Sequence, residues 1–285
     1  GRLLLRGRGG AGRGGRGSRV ARRPGGAVTL VAAAVCPHPP ILIPEVGRAE
    51  PVAAREPALA AARRLCAARP DLIVVVGDDS AAAEYDERDA GSFAGFGVDL
   101  QVPLGPGEPA RPPRLPLSLT VGAWLLRQVG WPGRRIGRGV PADTTPAAAA
   151  ALGAELVRAA EAAGERLGLL VMGDGSARRT QRAPGYLDER AEPFDASAAA
   201  ALAALDPAAL LALDPALAAE LLAAGRASWQ VLAGAVLAAT GAGTGPGAPA
   251  RGSGGVEGWK SDLVYNDAPF GVGYLVAVWE RVDLS

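Results

Sequence analysis

The sequence predicts an α/β domain: a mostly parallel central sheet flanked by helices on both faces. Two observations predict it. Short apolar runs rich in β-branched residues alternate along the chain with longer Ala- and Leu-rich stretches of helical spacing. The apolar runs also stop abruptly, at Pro/His or at Gly/Asp/Ser, as buried strands do where they leave a sheet. At 285 residues, with 49% hydrophobic and 21% charged residues, the chain can bury a core without disulfide or metal staples.

Taken in order, residues 1–27 hold eight arginines and no acid. They are expected to lie outside the fold, as a disordered extension or as a stretch upstream of a start at Val28. Without them the chain has 22 basic against 29 acidic residues, about −7, which argues against a nucleic-acid-binding face on the body. The predicted domain spans 28–285. Thr29–Val35 reads as its first buried strand, and Cys36-Pro37-His38-Pro39-Pro40 as a rigid loop. A side chain held there, that of His38, loses little entropy on being positioned.

Pro51–Arg69 has helical spacing, and Asp71–Val76 is a second buried strand ending at Gly77-Asp78-Asp79-Ser80. Residues 81–115 read as irregular, with an edge strand near Val98–Val102. Leu117–Val129 and Ala147–Arg166 are helices. Gly168–Met172 is a third buried strand, ending at Gly173-Asp174-Gly175-Ser176. Residues 190–240 read as several helices with Asp195, Asp206 and Asp214 as N-caps, the last two followed by proline at the first helical position. Residues 240–258, rich in Gly, Pro and Ser, are expected to be a mobile loop. Ser261–Tyr265 and Gly271–Trp279 close the chain as strands.

Ligands of open α/β sheets bind beyond the carboxyl ends of the strands. His38, Asp78, Asp79, Asp174 and Ser176 all fall there, with Asp78, Asp174 and Ser176 as pocket-lining residues. His38 is either a site residue or a structural imidazole locked in a proline-rich loop. Asp79 is either a ligand or a turn residue bonding nearby backbone N–H groups. Ser176 lacks the nucleophile-elbow context and has one histidine in the whole chain to serve as base, so it reads as a turn residue. Gly271-Val272-Gly273 precedes a strand and not a helix, which excludes a phosphate loop. Close backbone packing explains those glycines better. Cys36 and Cys66 have no metal-binding spacing and fit a reducing, cytoplasmic setting; no apolar run reaches membrane-spanning length.

The segment Pro37-His38-Pro39-Pro40-Ile41-Leu42-Ile43-Pro44-Glu45-Val46-Gly47 resembles the opening of class III extradiol ring-cleavage dioxygenases and their Memo-like relatives. "GDGSAR", "APGYLDERAEPFD" and "YNDAPFGVGYLVA" follow in the order of that family's segments, so the likeness runs from about Val28 to Trp279. The resemblance implies an α/β fold around a mostly parallel sheet. It also implies a non-haem Fe(II) held by two His and one Glu, with a further His as acid/base.

This chain has a single histidine. His38 falls on the first ligand, Asp79 on the second His, Asp267 on the Glu, and Ala177 on the acid/base His. The set implied is therefore His38, Asp79 and Asp267, with His38 also the candidate catalytic group. One His and two carboxylates form a harder set than the family's, suited to Fe(II) less than to Mn or Mg. Two functions follow: a metal-dependent oxidoreductase of the extradiol type acting on a catechol-like molecule, or a non-catalytic relative that binds a small molecule or a protein. A carboxylate-based hydrolase ranks behind both. Self-association into a homo-oligomer is compatible with either.

Overall fold

The computed structural model describes residues 29–48, 50–241 and 256–282. The 1–27 extension and most of the 240–258 loop lie outside them. In chain order the elements are β1 (Leu30–Cys36), α1 (Arg55–Ala67), β2 (Leu72–Asp79), β3 (Ala83–Tyr85), β4 (Ala90–Ser92), β5 (Gln101–Pro103), α2 (Leu117–Gln128), β6 (Arg134–Pro141), α3 (Pro146–Ala163) and β7 (Leu167–Met172). There follow α4 (Ala191–Ala204), α5 (Pro207–Leu211), α6 (Pro215–Glu220), α7 (Arg226–Ala239), β8 (Trp259–Asp267) and β9 (Tyr274–Arg281). A single 3-10 turn at Pro40–Leu42 follows the His38 loop.

One seven-stranded sheet in the order β3-β6-β2-β7-β1-β9-β8 divides the molecule. Its central strands β6, β2, β7 and β1 are parallel, and β3, β9 and β8 join by antiparallel pairing. The α/β class predicted from the sequence is therefore the class observed. Strands β1 and β7 are buried along their whole length, because helices cover both faces. Alternate residues feed two cores. Leu30, Ala33 and Val35 of β1 pack with Val74 and Val76 of β2 against α3, α4 and α7. Ala32, Ala34 and Cys36 pack with Ile73 and Val75 against α1 and α2.

Three sequence expectations change. Strand β6, absent from them, is paired along its full length with β2. Its charges hid it: Arg134 pairs with Glu165, Arg138 pairs with Glu84 opposite it on β3, and Arg135 is buried and donates to the Trp131 carbonyl. The expected edge strand near residue 100 belongs to a separate two-stranded ribbon of β4 and β5. Asp206 and Asp214 do cap α5 and α6, but Asp195 lies inside α4 and caps nothing.

Candidate functional site

The carboxyl ends of β1, β2 and β7 bring His38, Asp78 and Asp174 together. Strand β7 lies between the other two, so the segments that leave these strands are neighbours. The backbone N–H of His38 donates to Asp174 Oδ1 (2.8 Å), which fixes the proline-flanked loop to the turn after β7. The imidazole then sits between the two carboxylates. Its Nε2 is 3.1 Å from Asp78 Oδ1 and its Nδ1 is 3.7 Å from Asp174 Oδ1, both ion-pair distances. Neither His38 Nδ1 nor Asp78 Oδ1, both buried atoms, has an aligned hydrogen-bond partner.

The three groups differ in exposure. The His38 side chain is 7% exposed, that of Asp174 14% and that of Asp78 36%, so solvent reaches the cluster from the Asp78 side. Burial pushes the Asp174 carboxyl above its ordinary range, with Asp78 adding to the rise; His38 opposes it by favouring the charged form. Burial also pushes the Tyr274 phenol up, and the Asp174 carboxylate adds to this. Tyr274 opens β9 opposite Asp267, and nothing in the sequence around it marks it as a neighbour of the site. The carboxylate oxygens of the cluster can accept hydrogen bonds from a ligand that enters on the Asp78 side.

The turn bearing Asp174 is itself supported from behind. Asp195, buried in α4, accepts the Ser176 N–H (2.7 Å) and pairs with Arg179 (3.1 Å). Gly175 and Gly273 close over this carboxylate: a Cβ on either would stand 2.6 Å and 2.3 Å from its oxygens. The glycine at 273 thus makes room for a carboxylate, where backbone-on-backbone packing was expected. Gly175 N–H to Gly273 carbonyl (2.7 Å) and Gly273 N–H to Ser176 carbonyl (2.9 Å) tie the two turns together. The Ser176 hydroxyl donates to the Leu221 carbonyl and accepts the Arg178 N–H, so it is committed to the loop.

Asp79 is placed elsewhere. Adjacent strand residues point to opposite faces, and Asp79 turns away from Asp78 toward β3 and β6. Its Oδ2 accepts the Tyr85 hydroxyl (2.6 Å), its Oδ1 accepts the Ser80 N–H (2.7 Å), and Gly139 lacks a Cβ where the carboxylate lies. Burial and this bond push the Tyr85 phenol up to about 12. Asp267 ends β8 exposed, its Oδ1 accepting the Ala268 N–H (2.7 Å). Among the described residues no three His, Cys, Asp or Glu side chains are grouped so as to hold a metal ion. The implied set of His38, Asp79 and Asp267 does not fit a resident iron: Asp79 is engaged on the other face of the sheet.

An open groove of about 640 Å³ lies apart from this cluster, between α4, α5 and α6, lined by residues such as Phe194, Leu213 and Leu217. It contains none of His38, Asp78 and Asp174.

No protein-family model matches the chain, and no curated protein does. Eighteen chains among solved structures match. One is the crystal structure of an uncharacterized protein from Escherichia coli K12, 13% identical, with a TM-score of 0.47 over 88% of this chain and 99% of that one. The α/β class rests on the sheet and helices of this chain itself. No helix among the described residues is long and apolar enough to cross a membrane.

Proposed function

We propose that this chain is a small-molecule-binding protein on a class III extradiol dioxygenase-like scaffold, with His38, Asp78 and Asp174 as its recognition site and without the ring-cleaving iron centre. The single observation that carries this is the division of labour at the end of β2. Asp78 meets His38, whereas Asp79, the residue the resemblance nominates as a ligand, is bonded to Tyr85 and Ser80. The 36% exposure of the Asp78 side chain, against a nearly buried imidazole, supports a ligand that approaches the cluster from solvent on that side. The ordered likeness of the sequence segments supports the scaffold, and scaffolds host more than one function. A cytoplasmic location accords with Cys36 and Cys66 both being free thiols.

Metal analysis of protein purified without added metal is expected to find no stoichiometric Fe or Mn. Oxygen uptake with catechols after anaerobic Fe(II) loading is expected to stay at the buffer rate. Thermal-shift screening of small polar molecules should find stabilising compounds whose effect is lost in His38→Gln and kept in Asp79→Asn. Catechol-dependent oxygen uptake that disappears in Asp79→Asn would instead restore the oxidoreductase reading and the Fe(II) site with it.

A further inference from the structure

Strand β8 is an edge of the seven-stranded sheet, and among the described residues nothing pairs with its outer side. Its pairing with β9 determines which backbone groups point out. Val282 N–H donates to the Gly258 carbonyl (2.8 Å), and Trp259, Lys260, Ser261, Asp262 and Leu263 continue in the same register opposite Arg281 to Ala277. In an antiparallel ladder, hydrogen-bonded and non-hydrogen-bonded pairs alternate. Lys260 and Asp262 therefore turn their backbone groups toward β9, whereas Ser261 and Leu263 turn theirs outward. The Trp259 carbonyl is outward as well, while its N–H is used by Val256 (3.1 Å).

We propose that this edge joins a second copy of the chain, antiparallel about Ser261, so that two sheets become one continuous sheet. The segment Trp259-Lys260-Ser261-Asp262-Leu263 is chemically self-complementary under that rotation. Lys260 falls opposite Asp262 of the second copy, Trp259 opposite Leu263, and Ser261 opposite Ser261. Opposite charges and an aromatic–aliphatic pair are the side-chain pairs that stabilise adjacent strands. Lys260 and Asp262 are exposed on the α1 side, where Lys260 meets Glu280 (3.1 Å) and Asp262 meets Arg64 (2.6 Å). Joining two copies lengthens this alternating network without setting like charges opposite each other. Trp259 and Leu263 belong to the other face, where they extend the core under α4.

The outward groups match as well. Ser261 N–H and carbonyl meet those of Ser261 across the axis, and Leu263 N–H meets the Trp259 carbonyl on each side. The ladder then stops, because the register with β9 shifts between Leu263 and Tyr265. A bulge of this kind bends an edge away from further pairing, which limits the contact to the self-complementary five residues and to one partner. The opposite edge, β3, has three residues and offers no comparable stretch.

Sedimentation equilibrium of the full chain is expected to give a concentration-dependent species of twice 28.7 kDa. Asp262→Lys or Lys260→Asp alone sets like charges opposite each other on both sides of the axis and should weaken association about tenfold. The double exchange Lys260→Asp with Asp262→Lys should restore it. Near-UV circular dichroism checks that each variant is folded. As a second readout, a Lys260→Cys protein mixed with an Asp262→Cys protein, both carrying Cys66→Ser, should form a mixed disulfide far faster than either alone. A monomer at all concentrations overturns the proposal. So does a dimer indifferent to the single charge reversals, or a mixture that cross-links no faster than its components.

Discussion

The Asp174 carboxyl occupies a position where ionisation is costly. Burial raises its pKa, and the nearby His38 only partly offsets this. The folded state therefore holds the proton more tightly than the unfolded chain. Stability linked to this group is fully present below the unfolded value, about 3.9, and is lost as pH rises through the folded value. At neutral pH the ionised group is a net cost. Asp174→Asn keeps an oxygen to accept the His38 N–H and removes the charge. It is expected to raise unfolding stability at pH 7 by on the order of 1 kcal/mol, with the gain vanishing toward pH 4. Urea denaturation of both proteins across that range measures it, and a variant less stable than the parent at pH 7 would contradict the burial argument. The residues around this site were unequally legible. The prolines flanking His38 advertise a fixed side chain, and Asp174 follows a plain buried strand. Which of Asp78 and Asp79 meets His38 was not legible, because a one-residue change of register exchanges the faces of a strand and two adjacent aspartates give no preference.

Between residue and molecule, the crossing of α3 and α7 shows how little of a helix interface the apolar pattern reveals. Helix α7 is buried from Arg226 through Val236, so it has no solvent face for periodicity to mark. Its approach to α3 is set by two glycines. A Cβ on Gly153 would stand 2.0 Å from the Val231 carbonyl oxygen, and one on Gly234 would stand 2.2 Å from that of Ala150. The obstructing atoms are backbone, which no rotamer change can move. Helix propensity alone favours Gly234→Ala by about 1 kcal/mol, whereas overpacking a tight contact costs about 1–3 kcal/mol or more. The second term is larger, so Gly234→Ala is expected to lower stability and the melting temperature, contrary to the propensity scale. A thermal melt decides the sign. Strand β6 was missed for a related reason: its identity comes from pairing with β2 and from the ion pairs of Arg134 with Glu165 and of Arg138 with Glu84 on the neighbouring strand β3, and none of this leaves a local period. Asp195 misled in the other direction, since an aspartate ahead of an Ala-rich helix looks like a cap until the turns at Gly175 and Gly273 are found folded onto it.

At the scale of the molecule, the chain closes on itself late. The last strand, β9, lies inside the sheet, between β1 at the start and the edge strand β8. Leu275, Val276, Ala277 and Val278 are fully buried, and Trp279 nearly so. They contribute to both cores, because alternate residues of β9 face opposite helix layers. Alternation of strands and helices is enough to read the α/β class from the sequence, but strand order is not, because it depends on which distant segments pair. That order has a consequence for folding. The β1–β9 pairing joins segments at opposite ends of the domain, and contacts of such long range are entropically expensive until the rest of the sheet exists. A chain ending after Thr240 would lack β8 and β9, and would expose β1 along one edge and part of each core. Such a fragment is expected to keep helical far-UV circular dichroism, lose the near-UV signal of packed aromatic side chains, and bind a hydrophobic dye, the behaviour of a collapsed state without fixed packing. A fragment that instead unfolded cooperatively, with near-UV intensity intact, would mean that the four parallel strands and their helices form a sufficient core, and that the closing hairpin is an addition to a fold already complete.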